Sequence, residues 1–96
     1  MPDPSVKIPT VHMNGTSYQD LFDQAMDARS SLKNALDLMR RMTPDGRDYY
    51  VQGDGATEQA RKDHARRTNA VSTVIDEIEE ILIGITDQNP SERRRA

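Results

Sequence analysis

Two heptad stripes of equal length, the polar joint between them and a proline-punctuated amino terminus predict an all-α fold: an antiparallel two-helix hairpin assembling into an oligomeric helical bundle. In the first stripe Leu21, Ala25, Ala28, Leu32, Ala35, Met39 and Met42 recur at alternating steps of four and three. His64, Thr68, Val71, Ile75, Ile78, Leu82 and Ile85 repeat the pattern in the second. Folding back at the joint pairs the Met42 end with His64 and the Leu21 end with Ile85. A chain of 96 residues makes one domain, and two helices alone leave one side of each facing water. Those outer flanks carry Phe22, Met26 and Leu36 beside the first stripe and Val74 and Ile81 beside the second. Apolar flanks of this kind predict a homo-oligomer of four or more helices.

Each element follows in order. Residues 1–16 form an extended arm punctuated by Pro2, Pro4 and Pro9, expected to be disordered or laid across a neighbouring subunit. His12-Met13-Asn14-Gly15-Thr16-Ser17 is a turn that opens a helix. Thr16 with Gln19 fits a capping box, and Ser17 with Asp20 is the alternative register. The first helix is expected over about 17–43. Pro44 disfavours helical geometry at Thr43, and Asp45-Gly46 completes a turn. The joint over 44–56 is long for a helical hairpin, contains Tyr49 and Tyr50, and therefore looks functional rather than merely connecting. The second helix is expected over about 57–86, capped by Thr57 or Asp54. Residues 87–96, with Pro90 and the run Arg93, Arg94, Arg95, form a polar tail expected to be disordered.

Composition narrows the function classes. Without cysteine there is no disulfide framework, thiol nucleophile or thiolate metal site, which suits a reducing cytoplasm. Met1 to Thr10 lacks the apolar run of a signal peptide, and the stretch around Ile81–Ile85 is too short to span a bilayer. A soluble cytoplasmic protein without a membrane partner is the expectation. Net charge is only −3, but it is sorted. Between residues 70 and 87, Asp76, Glu77, Glu79, Glu80 and Asp87 have no basic counterpart. Between 40 and 69, Arg40, Arg41, Arg47, Arg61, Lys62, Arg66 and Arg67 outnumber Asp45, Asp48, Asp54, Glu58 and Asp63. The loop end is thus positive and the open end, with Asp20, Asp23 and Asp27, negative. A small anion is drawn to the loop end, whereas duplex DNA meets no continuous basic face.

Candidate chemistry gathers at that end. His64 occupies a stripe position where an aliphatic residue is usual. It is either a structural histidine bonded to the loop or part of a polar pocket with Arg61 and Thr68 on the same face. Tyr49 and Tyr50 are neighbours in an extended segment, which points one ring inward and leaves the other free to stack on a ligand. Arg47 can close over the pocket, while Arg66 and Arg67 lie on different sides of the helix and suit solvent. His12 and Asn14, from the amino-terminal turn, are the outlying members of the candidate ligand-binding set. Gly53-Asp54-Gly55 precedes a helix start without matching a Walker loop or a dinucleotide fingerprint. Asp23 with Asp27 and Asp76 with Glu80 sit one turn apart beside an aliphatic seam, which suits a hydrated surface rather than a di-metal site. With no evident nucleophile, metal site or cofactor motif, the expectation is a binding protein and not an enzyme.

The segments HMNGTS, GRDYYVQGDGA and DHARR resemble a group of small phage and prophage proteins with motifs like HLNGTS, PNGRDYYPQG and EH-x-x-R. The resemblance covers about residues 12–85; Asp45 and Val51 depart from it, standing where the group has asparagine and proline. It implies a phage origin and no particular chemistry. The helical-hairpin architecture is also similar to that of phage sponge proteins, which sequester cyclic nucleotide or cyclic ADP-ribose signals of bacterial defence. That similarity implies an anti-defence protein holding a nucleotide-type signal in the infected host's cytoplasm. The alternatives are an anti-CRISPR-like inhibitor that engages a host defence protein through Asp76, Glu77, Glu79 and Glu80, and a virion or packaging subunit.

Overall fold

The computed structural model describes residues 6–90 and contains two α-helices packed against each other, with no strand among the described residues. Helix α1 spans Tyr18–Arg40 and helix α2 spans Ala56–Thr86. The hairpin is elongated, 64 × 24 × 23 Å, with a radius of gyration of 19.4 Å, against about 12 Å for a compact domain of this length. No helix is long and apolar enough to cross a membrane.

Local chemistry sets the helix ends. Ser17 is the N-cap of α1, its Oγ accepting from the Asp20 backbone N–H at 3.1 Å, so the Ser17–Asp20 register is the one adopted. Stacked Tyr18 and Phe22 rings, 6.0 Å apart, brace the first turn. At its far end α1 stops at Arg40 instead of running to Thr43. The amides of Arg41, Met42 and Thr43 bond three residues back, to Leu38, Met39 and Arg40. That tightened turn is the geometry expected where Pro44 forbids helical continuation. Helix α2 opens one residue before Thr57. Its N-cap is Gly55, at φ 83°, with no side-chain cap, so neither Asp54 nor Thr57 fills that role. At its end Thr86 Oγ1 donates back to Leu82 O at 2.7 Å.

The core is a narrow seam. Leu36, Ile75, Leu82 and Ile85 are its buried side chains, and Ile85 is the most completely enclosed. In α2 every position of the second stripe, from His64 to Ile85, is buried or half-buried. In α1 the first stripe holds in part: Leu21, Ala25, Leu32 and Met39 are half-buried, but Ala28, Ala35 and Met42 are exposed and the seam turns toward the neighbouring line, where Leu36 is buried. Packing follows volume, because Phe22, Leu32, Leu36 and Met39 cover more apolar surface than the alanines between them. That rotation also brings Arg29 to the edge of the seam, where its Nε meets Glu79 Oε1 at 2.9 Å, with Lys33 Nζ 3.9 Å from the same oxygen.

The described part of the arm packs against the end of α2. Gln88 holds it with both ends of its side-chain amide: Oε1 accepts from the Val11 N–H at 2.9 Å, and Nε2 donates to Pro9 O at 2.9 Å and Gly84 O at 3.0 Å. Ile8 rests on Gly84, where a Cβ would collide with its side chain. Gln88 and Asn89, expected in a disordered tail, continue the turn after α2 through bonds to Ile85 O and Thr86 O. Residues 1–5 of the arm and 91–96 of the tail, including the arginine run, lie outside the described residues.

Candidate functional site

The joint is folded back on α2 by a chain of short-range bonds. Thr43 Oγ1 donates to Arg40 O at 2.6 Å, and Pro44 is buried. Asp45 caps a short 3₁₀ turn, Gly46–Asp48, by accepting from the Arg47 N–H at 3.1 Å. A second turn, Tyr50–Gln52, packs against α2. Gly53, at φ 108°, and Gly55 then redirect the chain into the helix, and positive φ at both favours residues without Cβ.

Two α2 side chains anchor this joint. Arg61 Nε donates to Pro44 O at 3.4 Å, and His64 Nε2 lies 3.4 Å from Thr43 Oγ1. Since the Thr43 hydroxyl hydrogen is committed to Arg40 O, the histidine contact requires a proton on Nε2. His64 is half-buried at the end of the seam, with its expected aliphatic role replaced by this polar closure. Thr68 is half-buried too, but its hydroxyl donates within the helix to Ala65 O at 3.1 Å, leaving only its oxygen lone pairs for a ligand.

The two tyrosines differ in exposure. Tyr49 is half-buried, whereas Tyr50 is 71% exposed. Arg47 is almost free, its side chain 81% exposed and its Nε 3.5 Å from Asp45 Oδ2. Arg41, Arg61, Lys62, Arg66 and Arg67 have no carboxylate within ion-pair distance among the described residues, and Arg40 is paired with Asp37 at 3.2 Å. The result is a cationic end with one presented ring. It has the donors and stacking surface for an anionic aromatic ligand, and an open shape rather than an enclosed pocket.

Not every expected site residue joins it. His12 and Asn14 sit in the turn before α1, closed by Gly15 N–H to His12 O at 3.2 Å. A Cβ at Gly15 would meet the His12 ring at 2.7 Å, so this glycine makes room for the folded-in imidazole. The turn lies beside the end of α2 near Gln88, about 36 Å along that helix from His64. One chain cannot close both groups on a single small ligand.

The acidic residues differ in their partners. Glu79 turns into the seam toward Arg29. Asp76 lines a depression of about 420 Å³ on one side of the hairpin with Lys33, Asp37, Arg40, Ser72 and Glu79, so carboxylates and bases alternate there. A second groove of about 270 Å³, on the opposite side, is apolar and formed by Leu21, Ala25, Ala28, Ile78, Ile81 and Ile85 with Pro9 and Gln24 at its margin. The sequence pointed to neither groove as such; Leu21, Ala25 and Ala28 were read as part of the inner stripe, and the apolar flank residue Ile81 was the available signal for the second. No group of three or more His, Asp or Glu residues suited to a metal ion occurs among the described residues. No family model, curated protein or solved structure matches this chain.

Proposed function

We propose that this protein is a non-catalytic binding protein that captures a small, anionic, nucleotide-type ligand at the loop end of its hairpin. In this reading it serves a phage as a sink for a cyclic nucleotide or cyclic ADP-ribose signal of host defence. The observation that carries it is an exposed Tyr50 ring at the same end of the hairpin as Arg47, 81% exposed with only a 3.5 Å contact to Asp45, and Arg61, whose Nε holds Pro44 O and which has no carboxylate partner among the described residues. Stacking orients a purine, and guanidinium groups favour phosphate through paired donors. Arg66 and Arg67 add to the local field rather than to contact. The phage role rests on the resemblance of the HMNGTS and GRDYY segments and on architecture, which by itself does not fix function.

A protein partner engaged through the acidic residues has less support, because Glu79 is spent on Arg29 and Asp76 is interleaved with bases. The test is isothermal titration of the full chain with cyclic dinucleotides, cyclic trinucleotides and cyclic ADP-ribose isomers. One class should bind, and Tyr50→Ala should weaken it by about 5- to 150-fold, the equivalent of ~1–3 kcal/mol of stacking. Arg47→Ala should weaken it as well, with helical circular dichroism unchanged in both. Wild-type affinity in both variants would remove the loop end as the site.

A further inference from the structure

We infer that the apolar groove of Leu21, Ala25, Ala28, Ile78, Ile81 and Ile85 is the seat of a second copy of this chain, docked antiparallel to the first about a two-fold axis.

The heptad period of α1 extends past what its own hairpin uses. Its seam is centred on Leu36, yet the line Leu21, Ala28, Ala35, Met42 recurs every seventh residue on the groove side with no charge in it. On α2 the matching flank carries Val74, 46% exposed, and Ile81. Met42 is 72% exposed and Leu38 46%. The face is as long as α1, about 35 Å, and two helices wide, about 20 Å, which gives roughly 700 Å² per protomer. That is close to the ~800 Å² each partner contributes to a standard-sized stable interface.

Charge selects the second copy and its direction. The outer edge of this face on α1 is the next heptad line, Asp20, Asp27, Asn34 and Arg41. A parallel pair would bring like charges together at both ends. Inversion about an axis near Ser31 and Leu32 sets Asp20 against the partner's Arg41, and the positive loop end against the negative open end. A two-fold interface must be self-complementary, and this face is so only when inverted.

The arrangement bears on the loop end without depending on any ligand. Inversion carries the amino-terminal turn of each chain to the level of the other's joint, so His12 and Asn14, remote within one chain, flank the Arg47–Tyr50 segment in the pair.

The test uses the absence of cysteine from the chain. Sedimentation equilibrium of the full chain should give twice the 10.8 kDa protomer mass at micromolar concentration. Ser31→Cys, exposed near the two-fold axis, should form a disulfide-linked dimer under mild oxidation. Asp37→Cys, on the opposite groove, and Met42→Cys, far from the axis, should stay largely uncrosslinked. None of the three removes a buried side chain, so folding is preserved. A protomer mass at all concentrations would overturn the proposal, as would crosslinking through Asp37→Cys in preference to Ser31→Cys. Efficient crosslinking through Met42→Cys would overturn the antiparallel direction.

Discussion

At the residue scale, the side chains that matter most are those whose surroundings leave few alternatives. Ile85 is 1% exposed, so Ile85→Ala should cost about 3–5 kcal/mol in chemical denaturation. Leu36→Ala should cost about 2–4 kcal/mol, far more than Ala35→Ser on the exposed neighbouring line. Equal losses at 35 and 36 would mean the seam is where periodicity alone put it. Such periodicity locates a helical face to within a residue but does not say which of two adjacent lines faces inward; side-chain volume decides that. In α2 the distinction did not arise, because Val71, Ile75, Ile78, Leu82 and Ile85 supply both the period and the bulk. His64 was legible as an exception to the stripe, whereas its partner Thr43 was not, since a contact of 3.4 Å across the joint depends on the loop's path.

At the element scale, both helices owe their starts, and α1 its end, to a neighbouring serine, glycine or proline. Gly55→Ala forces a Cβ into left-handed backbone with no atom nearby to collide with, so its cost, about 1–2 kcal/mol, should be purely conformational. Ser17→Ala should cost about 1 kcal/mol through the lost cap. The arm is held differently, by one amide and one glycine. Gln88→Ala removes the acceptor for Val11 N–H and the donor to Pro9 O, so hydrogen exchange at Val11 should accelerate while exchange within α2 stays slow. Unchanged exchange at Val11 would show that Ile8 on Gly84 suffices to hold the segment. Helix bounds were readable to within one to three residues because caps and breakers are local in sequence. The arm's docking was not readable, because it joins residues 77 and 79 positions apart.

At the scale of the whole molecule, a 64 Å hairpin whose seam has four buried aliphatic side chains has little core among its described residues to oppose the entropy of folding. In the proposed pairing a second copy on the uncovered face would supply what one chain lacks, so the thermal midpoint should rise with protein concentration, as for any association-linked fold. Salt acts on the same molecule at both ends. Raising it from 50 to 500 mM should weaken the proposed ligand capture by screening Arg47 and its neighbours, which are exposed, while the apolar seam is unaffected. The charge sorting behind this was fully legible from composition along the chain, as were the two helices and their pairing. The pairing of the acidic residues was not: Glu79 meets Arg29 at the seam edge, while Asp76, lining the same polar groove, has no base within ion-pair distance among the described residues.

The most direct test of the central claim is native mass spectrometry of the intact protein, alone and after incubation with cyclic dinucleotides, cyclic trinucleotides and cyclic ADP-ribose isomers. Loop-end capture predicts a discrete ligand mass added to the wild-type species and lost from Arg47→Ala and Tyr50→Ala. A wild-type spectrum unchanged by every member of that panel, or a ligand mass retained by both variants, would contradict it.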